Sequence, residues 1–224
     1  MSQVCVVIPA YQAEGSIGPL VRDIVAQGLP VIVVDDGSLD RTSAEASRCG
    51  ARVLTRALNG GKGAALREGF AAALEGDFEW ILVMDADGQH LPAEIPLFLK
   101  RAAGGDIDLI LGSRMECPQD MPVMRRLTNW IMSRILSLLV HQSMPDTQCG
   151  FRLISRRVVD KVQLTSDRFE IDSELVVKSA WAGFRIIWVP VSSIYRHNLS
   201  FIRPVQDTIR FVRFLMRLKR EPKK

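Results

Sequence analysis

The segment Asp85-Ala86-Asp87-Gly88-Gln89-His90 follows directly on the apolar run from Trp80 to Met84. Two carboxylates separated by one residue, at the open end of a strand, converge on a hard divalent cation that keeps coordination positions for phosphate oxygens. An EF-hand calcium loop is excluded, because the twelfth position counted from Asp85 is Pro96 rather than Glu. Two other apolar runs end in polar turns. Val4 to Ile8 leads into Pro9-Ala10-Tyr11, and Val31 to Val34 leads into Asp35-Asp36-Gly37-Ser38. There Tyr11 can stack on a base and Asp36 can accept from a base or a ribose. Asn59 to Gly63 (NGGKG) offers backbone amides and Lys62 to an anion at a helix N-terminus. Two standard nucleotide motifs fail on spacing. The first turn reads PAYQAEG instead of GxGxxG, and Gly61-Lys62 is followed by Gly63 with Arg56 where a P-loop needs its first glycine.

The elements that must position these residues alternate. Short continuous apolar runs predict buried parallel strands at Val4–Ile8 and Val31–Val34, and Arg52–Leu54, Trp80–Met84 and Asp108–Leu111 read as a third, fourth and fifth strand. Helical spacing predicts helices over Ile17–Ala26, from a Ser38/Asp40 cap to about Cys49, over Ala64–Leu74, and from Pro92 to about Ala102. Beyond them, Met121–Val140 and Ile171–Trp181 read as helices, Phe151–Ser155 and Arg185–Val189 as extended, and Val205 to about Arg220 as a last helix. The expectation is one α/β domain with an open, mostly parallel sheet flanked by helices and a ligand crevice at the carboxyl ends of its strands.

Composition agrees. The chain has 224 residues, 47% hydrophobic and 24% charged, enough for one real core and incompatible with disorder or a collagen-like repeat. Four scattered cysteines suit a reducing compartment and no structural zinc. A cleaved signal peptide is not expected. The greasiest stretch, Leu127 to Val140, contains Asn129 and Arg134 and falls short of the ~20 apolar residues that span a bilayer. From Arg203 to Lys224 eight basic residues face two acidic ones, a net +6 against +4 for the whole chain, so the remainder is net acidic. On the last helix Arg210, Arg213, Arg217 and Arg220 form one stripe, with Phe211, Phe214 and Leu218 alongside. That combination is expected to attract an anionic membrane surface, and no nucleic-acid-binding motif accompanies it.

PAYQAEGSI, VVDDGSLDRT, NGGKGAALREGF, VMDADGQHLP, LILGSR and DTQCGFRLIS, in this order, resemble the inverting GT-A glycosyltransferases of family 2, and within them the dolichyl-phosphate mannose synthases and polyprenyl-phosphate sugar synthases. The resemblance runs from Val4 to about Pro204. It implies a GT-A domain over 1–204 and a basic amphipathic helix and tail over 205–224. It further implies nucleotide-sugar contacts from Pro9, Tyr11, Glu14, Val34, Asp36, Lys62, Asp85 and Ala86. Asp85, Asp87 and Gln89 would hold Mg²⁺ or Mn²⁺. Arg114, Arg196 and Arg203 would take the acceptor phosphate, with Asp87, Asp146 and Arg114 catalytic. Ala13 stands where the family has a glutamate, with Glu14 next to it, and Arg203 stands near the place of a family lysine.

The implied reaction is a single displacement from a nucleotide-diphosphate hexose (GDP-mannose or UDP-glucose type). A phosphomonoester acceptor needs no strong base, whereas a hydroxyl acceptor needs a carboxylate, for which Asp146, Glu170 and Asp172 are candidates. Met121 to Met144, rich in Met, Leu and Ile with Trp130, Arg125 and Arg126, suits a polyprenyl phosphate. Core packing explains the same residues. The expected setting is the cytoplasmic face of the membrane, with room for a separate membrane protein as partner. A hydroxyl-acceptor transferase and a nucleotide-binding pseudoenzyme are the alternatives.

Overall fold

The computed structural model describes residues 4–115, 121–194 and 204–220, the last helix with side chains from Arg210 to Leu218. Seven strands, β1 (Val4–Ala10), β2 (Val31–Asp35), β3 (Arg52–Thr55), β4 (Trp80–Val83), β5 (Leu109–Ser113), β6 (Arg152–Ser155) and β7 (Ile186–Pro190), form one sheet in the order β3-β2-β1-β4-β6-β5-β7. All neighbours pair parallel except β6, which runs antiparallel to both β4 and β5. Around it lie α1 (Glu14–Val25), α2 (Thr42–Arg48), α3 (Lys62–Leu74), α4 (Ile95–Ala102), α5 (Val123–Val140), α6 (Arg156–Lys161), α7 (Glu170–Trp181) and α8 (Pro204–Arg220).

The central strands are buried on both faces, which is why they read as unbroken apolar runs. Their side chains still alternate: Cys5 and Val7 of β1 join the core under α3 and α7, while Val6, Ile8 and Ala10 join the core under α1 and α4. A Cβ added to Gly69 of α3 would lie 2.4 Å from Val7 Cγ1, so glycine is what lets α3 lie this close to β1.

Three expectations shift. The helix expected from a Ser38/Asp40 cap begins at Thr42: Asp40 Oδ1 accepts the Thr42 N–H at 3.0 Å as a cap would, while Ser38 Oγ is taken by the Gln12 N–H at 2.8 Å. The expected tail is part of the domain, since Phe211, Phe214 and Leu218 of α8 are buried in the core beside α7. Those side chains therefore do not form a membrane-facing aromatic stripe. The third concerns α5, for which core packing and a lipid-facing surface were both open and which shows each in part, Met132, Leu139 and Val140 packing on the core. Its buried stripe is Asn129, Ser133 and Leu136, while Leu127, Trp130, Ile131, Ile135 and Leu138 are exposed. No helix among the described residues is long and apolar enough to cross a membrane.

Candidate active site at the strand ends

Parallel pairing of β2, β1 and β4 brings Tyr11, Asp36 and Asp85 to one edge of the sheet. The two outer turns are laced together. Thr42 Oγ1 accepts the Ala13 N–H at 2.8 Å, and Glu14 Oε2 accepts the Arg41 N–H at 3.1 Å. Glu14 thus faces the start of α2. Tyr11 is exposed at the mouth, and Pro9 stiffens the end of β1 opposite Val34. Val34 itself is fully buried in the core under α3. Ala86 is buried too, its carbonyl accepting the Ser16 hydroxyl at 2.6 Å.

The glycine-rich loop is satisfied from within the protein. Asp36, 2% exposed, accepts the Gly60 and Gly61 amides at 2.9 and 2.7 Å and pairs with Arg56 at 2.9 Å. The Gly63 and Ala64 amides donate to the Asp167 carbonyl at 2.8 and 3.2 Å. A Cβ on Gly63 would lie 2.2 Å from the Ser166 carbonyl oxygen, so this contact requires glycine. The anion held by the Gly60 and Gly61 amides of this loop is the carboxylate of Asp36.

Lys62 reaches inward instead of outward. Its Nζ lies 2.7 Å from Asp85 Oδ1 and 2.8 Å from Asp172 Oδ2, and Arg152 Nη1 lies 3.3 Å from Asp172 Oδ1. Burial pushes the Lys62 ammonium down, but Asp172 and Asp85 outweigh it and hold its pKa above the ordinary value. Burial likewise pushes Asp85 up, and Lys62 brings it below the usual range. Arg152, which the sequence reading passed over, is fully buried. It donates to the carbonyls of Cys149, Asp172 and Thr147 at 2.6, 2.8 and 3.1 Å. Because β6 runs antiparallel, its first residues lie at the carboxyl end of β4. A Cβ on Gly150 would lie 2.0 Å from Asp85 Oδ2.

Asp87 is exposed and accepts the Gln89 N–H at 2.9 Å. The surrounding crevice walls first, and the Asp85 carboxylate second, hold its pKa above the ordinary value. The Gln89 carbonyl accepts the Ile194 N–H at 2.9 Å. His90 is buried against Phe151, and burial brings its pKa down to about 4, so it is neutral.

Farther along the edge, Arg114 grips Asp146 in a fork, Nε and Nη2 donating to the two oxygens at 2.8 and 2.9 Å. Asp146 also accepts from the Arg114, Asn129 and Gln148 N–H groups at 3.2, 3.0 and 3.1 Å. Burial pushes its carboxyl up, but Arg114 and these donors outweigh it and bring the pKa down to about 2. Asn129 and Ser133 signal this in the sequence as polar residues at i, i+4 in an apolar run. Arg196 and Arg203 lie outside the described residues.

An open parallel sheet with one reversed strand, carrying an acidic pair at the carboxyl end of a central strand, defines an α/β enzyme of the GT-A type. The chain belongs to glycosyl transferase family 2, whose pattern matches residues 5–163, and it is a glycosyltransferase. It is 30% identical to a dolichyl-phosphate hexose transferase of Haloferax volcanii over 83% of this chain and 80% of that one. It is 29% identical to an undecaprenyl-phosphate mannosyltransferase of Micrococcus luteus over 87% and 84%. Glucosyl-3-phosphoglycerate synthase of Mycobacterium tuberculosis, solved with Mn²⁺ and UDP-glucose, shares the fold at a TM-score of 0.74, with 19% identity over 96% of this chain and 77% of that one.

Proposed function

We propose that the protein transfers a hexose, with inversion, from a nucleotide-diphosphate sugar to a polyprenyl phosphate at the cytoplasmic surface of a membrane. The observation that carries the acceptor assignment is the row of exposed apolar side chains on α5. Its polar stripe bonds to the loop before β6, Asn129 to Asp146 and Ser133 to Thr147, while Trp130, 55% exposed, and Leu138, 64% exposed, face outward. An exposed apolar face of this size is abnormal for a surface in water. It suits a lipid chain or the interfacial region of a bilayer, where tryptophan is favoured.

Asp85 and Asp87 fit a hard divalent cation. They offer oxygen donors only, and the like-charge repulsion that raises Asp87 is relieved by a cation between them. With Gln89 they would hold Mg²⁺ or Mn²⁺. Such an ion, when bound, offsets the charge that develops on a departing diphosphate. Tyr11 and Pro9 form the wall on which a base stacks. Asp36 acts by fixing the glycine-rich loop, and Lys62 by holding Asp85 in place. Arg114, buried and held by Asp146, is assigned to the acceptor side, and Arg196 and Arg203, outside the described residues, are assigned to the acceptor phosphate.

The base question favours a phosphate acceptor. Asp146 accepts five N–H donors, and Asp172 is held between Lys62 and Arg152. Neither is placed to take a proton, and an anionic phosphate oxygen needs none taken. A hydroxyl acceptor would have to rely on Glu170. The test is incubation with Mn²⁺, a short polyprenyl phosphate and a panel of labelled nucleotide sugars. Label entering the organic phase from one donor is expected. Label found only on soluble acceptors would sink the lipid assignment.

A further inference from the structure

The described arginines of α8 lie along one side of an open cleft. Arg210, Arg213 and Arg217 turn toward the loop before α7, and together with Arg168 of that loop they line a cleft of about 330 Å³. Arg217 is fixed: it donates to the Ser166 hydroxyl, lies 3.9 Å from Glu174 Oε1 and stacks 5.8 Å above Phe214. Glu174, fully buried, is in turn held by the Thr165 and Ser166 amides and by Lys178. Arg168 and Arg213 are exposed, and no ion pair to either forms among the described residues. Two carboxylates also line the cleft, Glu170 and Asp167, the latter paired with Arg67. With Glu174 counted behind Arg217, four guanidiniums stand against three carboxylates, which leaves the cleft cationic, and the Ser166 hydroxyl stands among them. Guanidinium forks match phosphate oxygens with parallel hydrogen bonds.

We infer that this cleft between α8 and the 166–170 loop is a phosphate-binding subsite, separate from Arg114 and Asp146, that takes the headgroup of an anionic lipid lying beside the crevice. Its floor touches the catalytic edge, because the Asp167 carbonyl receives the Gly63 and Ala64 amides at the start of α3, next to Lys62. The burial of Phe211, Phe214 and Leu218 anchors α8 to the protein, so the arginines form one wall of a fixed cleft. The inference is independent of which acceptor the transferase uses.

The test titrates the full chain with inorganic phosphate, following the arginine Nε–H resonances by NMR, and measures cosedimentation with phosphatidylglycerol/phosphatidylcholine vesicles. Phosphate is expected to shift Arg168, Arg213 and Arg217 together, with one common affinity. The double variant Arg168→Gln/Arg213→Gln is expected to fold as the parent does and to lose phosphate affinity and vesicle binding at least tenfold each. Equal shifts with chloride at matched ionic strength, or unchanged phosphate affinity in the double variant, would overturn the subsite. Lost phosphate affinity with unchanged vesicle binding would overturn the lipid source and point to a soluble phosphorylated ligand.

Discussion

The acidic centre works as a set of charge pairs, and each pair predicts its own failure. Lys62 neutralises Asp85 and Asp172 with little solvent to help. Lys62→Met therefore leaves two crowded carboxylates, and a loss of about 3–5 kcal/mol in urea unfolding is expected. Gly150→Ala acts differently. The new methyl would meet Asp85 at 2.0 Å, so the carboxylate must move, and transfer is expected to fall at least tenfold while the circular-dichroism spectrum is kept. Asp146 gives the pH dependence. Its pKa is about 2 in the folded chain against 3.8 ordinarily. The folded state thus binds the proton more weakly than the unfolded one. The corresponding stabilisation, of the order of 2 kcal/mol, is complete above about pH 4 and lost as pH falls toward 2. Urea midpoints between pH 5 and 2.5 should fall more steeply for the parent than for Asp146→Asn, whose starting stability is already lower because Arg114 has lost its counter-charge.

At the scale of elements, α5 separates packing from lipid contact. Trp130→Ser with Leu138→Ser removes exposed apolar surface only, so the thermal midpoint is expected to hold while partition onto vesicles and transfer to polyprenyl phosphate both drop. Unchanged partition would assign the apolar face another role. The same helix explains what a sequence can and cannot say. The buried parallel strands were legible because they are apolar without interruption, and the acidic turn after β4 because its spacing is chemical. The orientation of α5 was only half legible. Its apolar residues suited a lipid chain and core packing alike, and the polar i, i+4, i+8 positions Asn129, Ser133 and Ser137, each bonded to the loop before β6, mark the side that turns inward. Arg152 was hidden for a related reason: a cation in a strand reads as an edge residue, yet the antiparallel insertion of β6 places it where three backbone carbonyls satisfy it. The inward turn of Lys62 likewise depends on Asp172, 110 residues away, a contact no local pattern encodes.

For the whole molecule the charge map and the crevice combine into one measurable linkage. Of three like charges, Asp85 and Asp87 at the strand ends and Asp172 behind them, Asp85 and Asp172 share the ammonium of Lys62, Asp172 also meets Arg152, and no ion pair to Asp87 forms among the described residues. A divalent cation with a nucleoside diphosphate supplies both the missing positive charge and the phosphate oxygens that complete its shell, and it binds only the folded chain, because the unfolded chain does not bring the two turns together. Mass action then requires stabilisation: at a ligand concentration 100 times Kd the gain is about 2.7 kcal/mol, which for a chain of this size raises the thermal midpoint by roughly 5–10 °C. Mn²⁺ with GDP or UDP should produce such a rise, and the pair giving the larger rise identifies the base. Mn²⁺ alone should give a smaller one, because the carboxylates then hold it without phosphate. In Asp87→Ala the nucleotide effect should lose its dependence on the metal. A rise of equal size in Asp87→Ala would place the metal elsewhere and remove the acidic pair from the proposed mechanism.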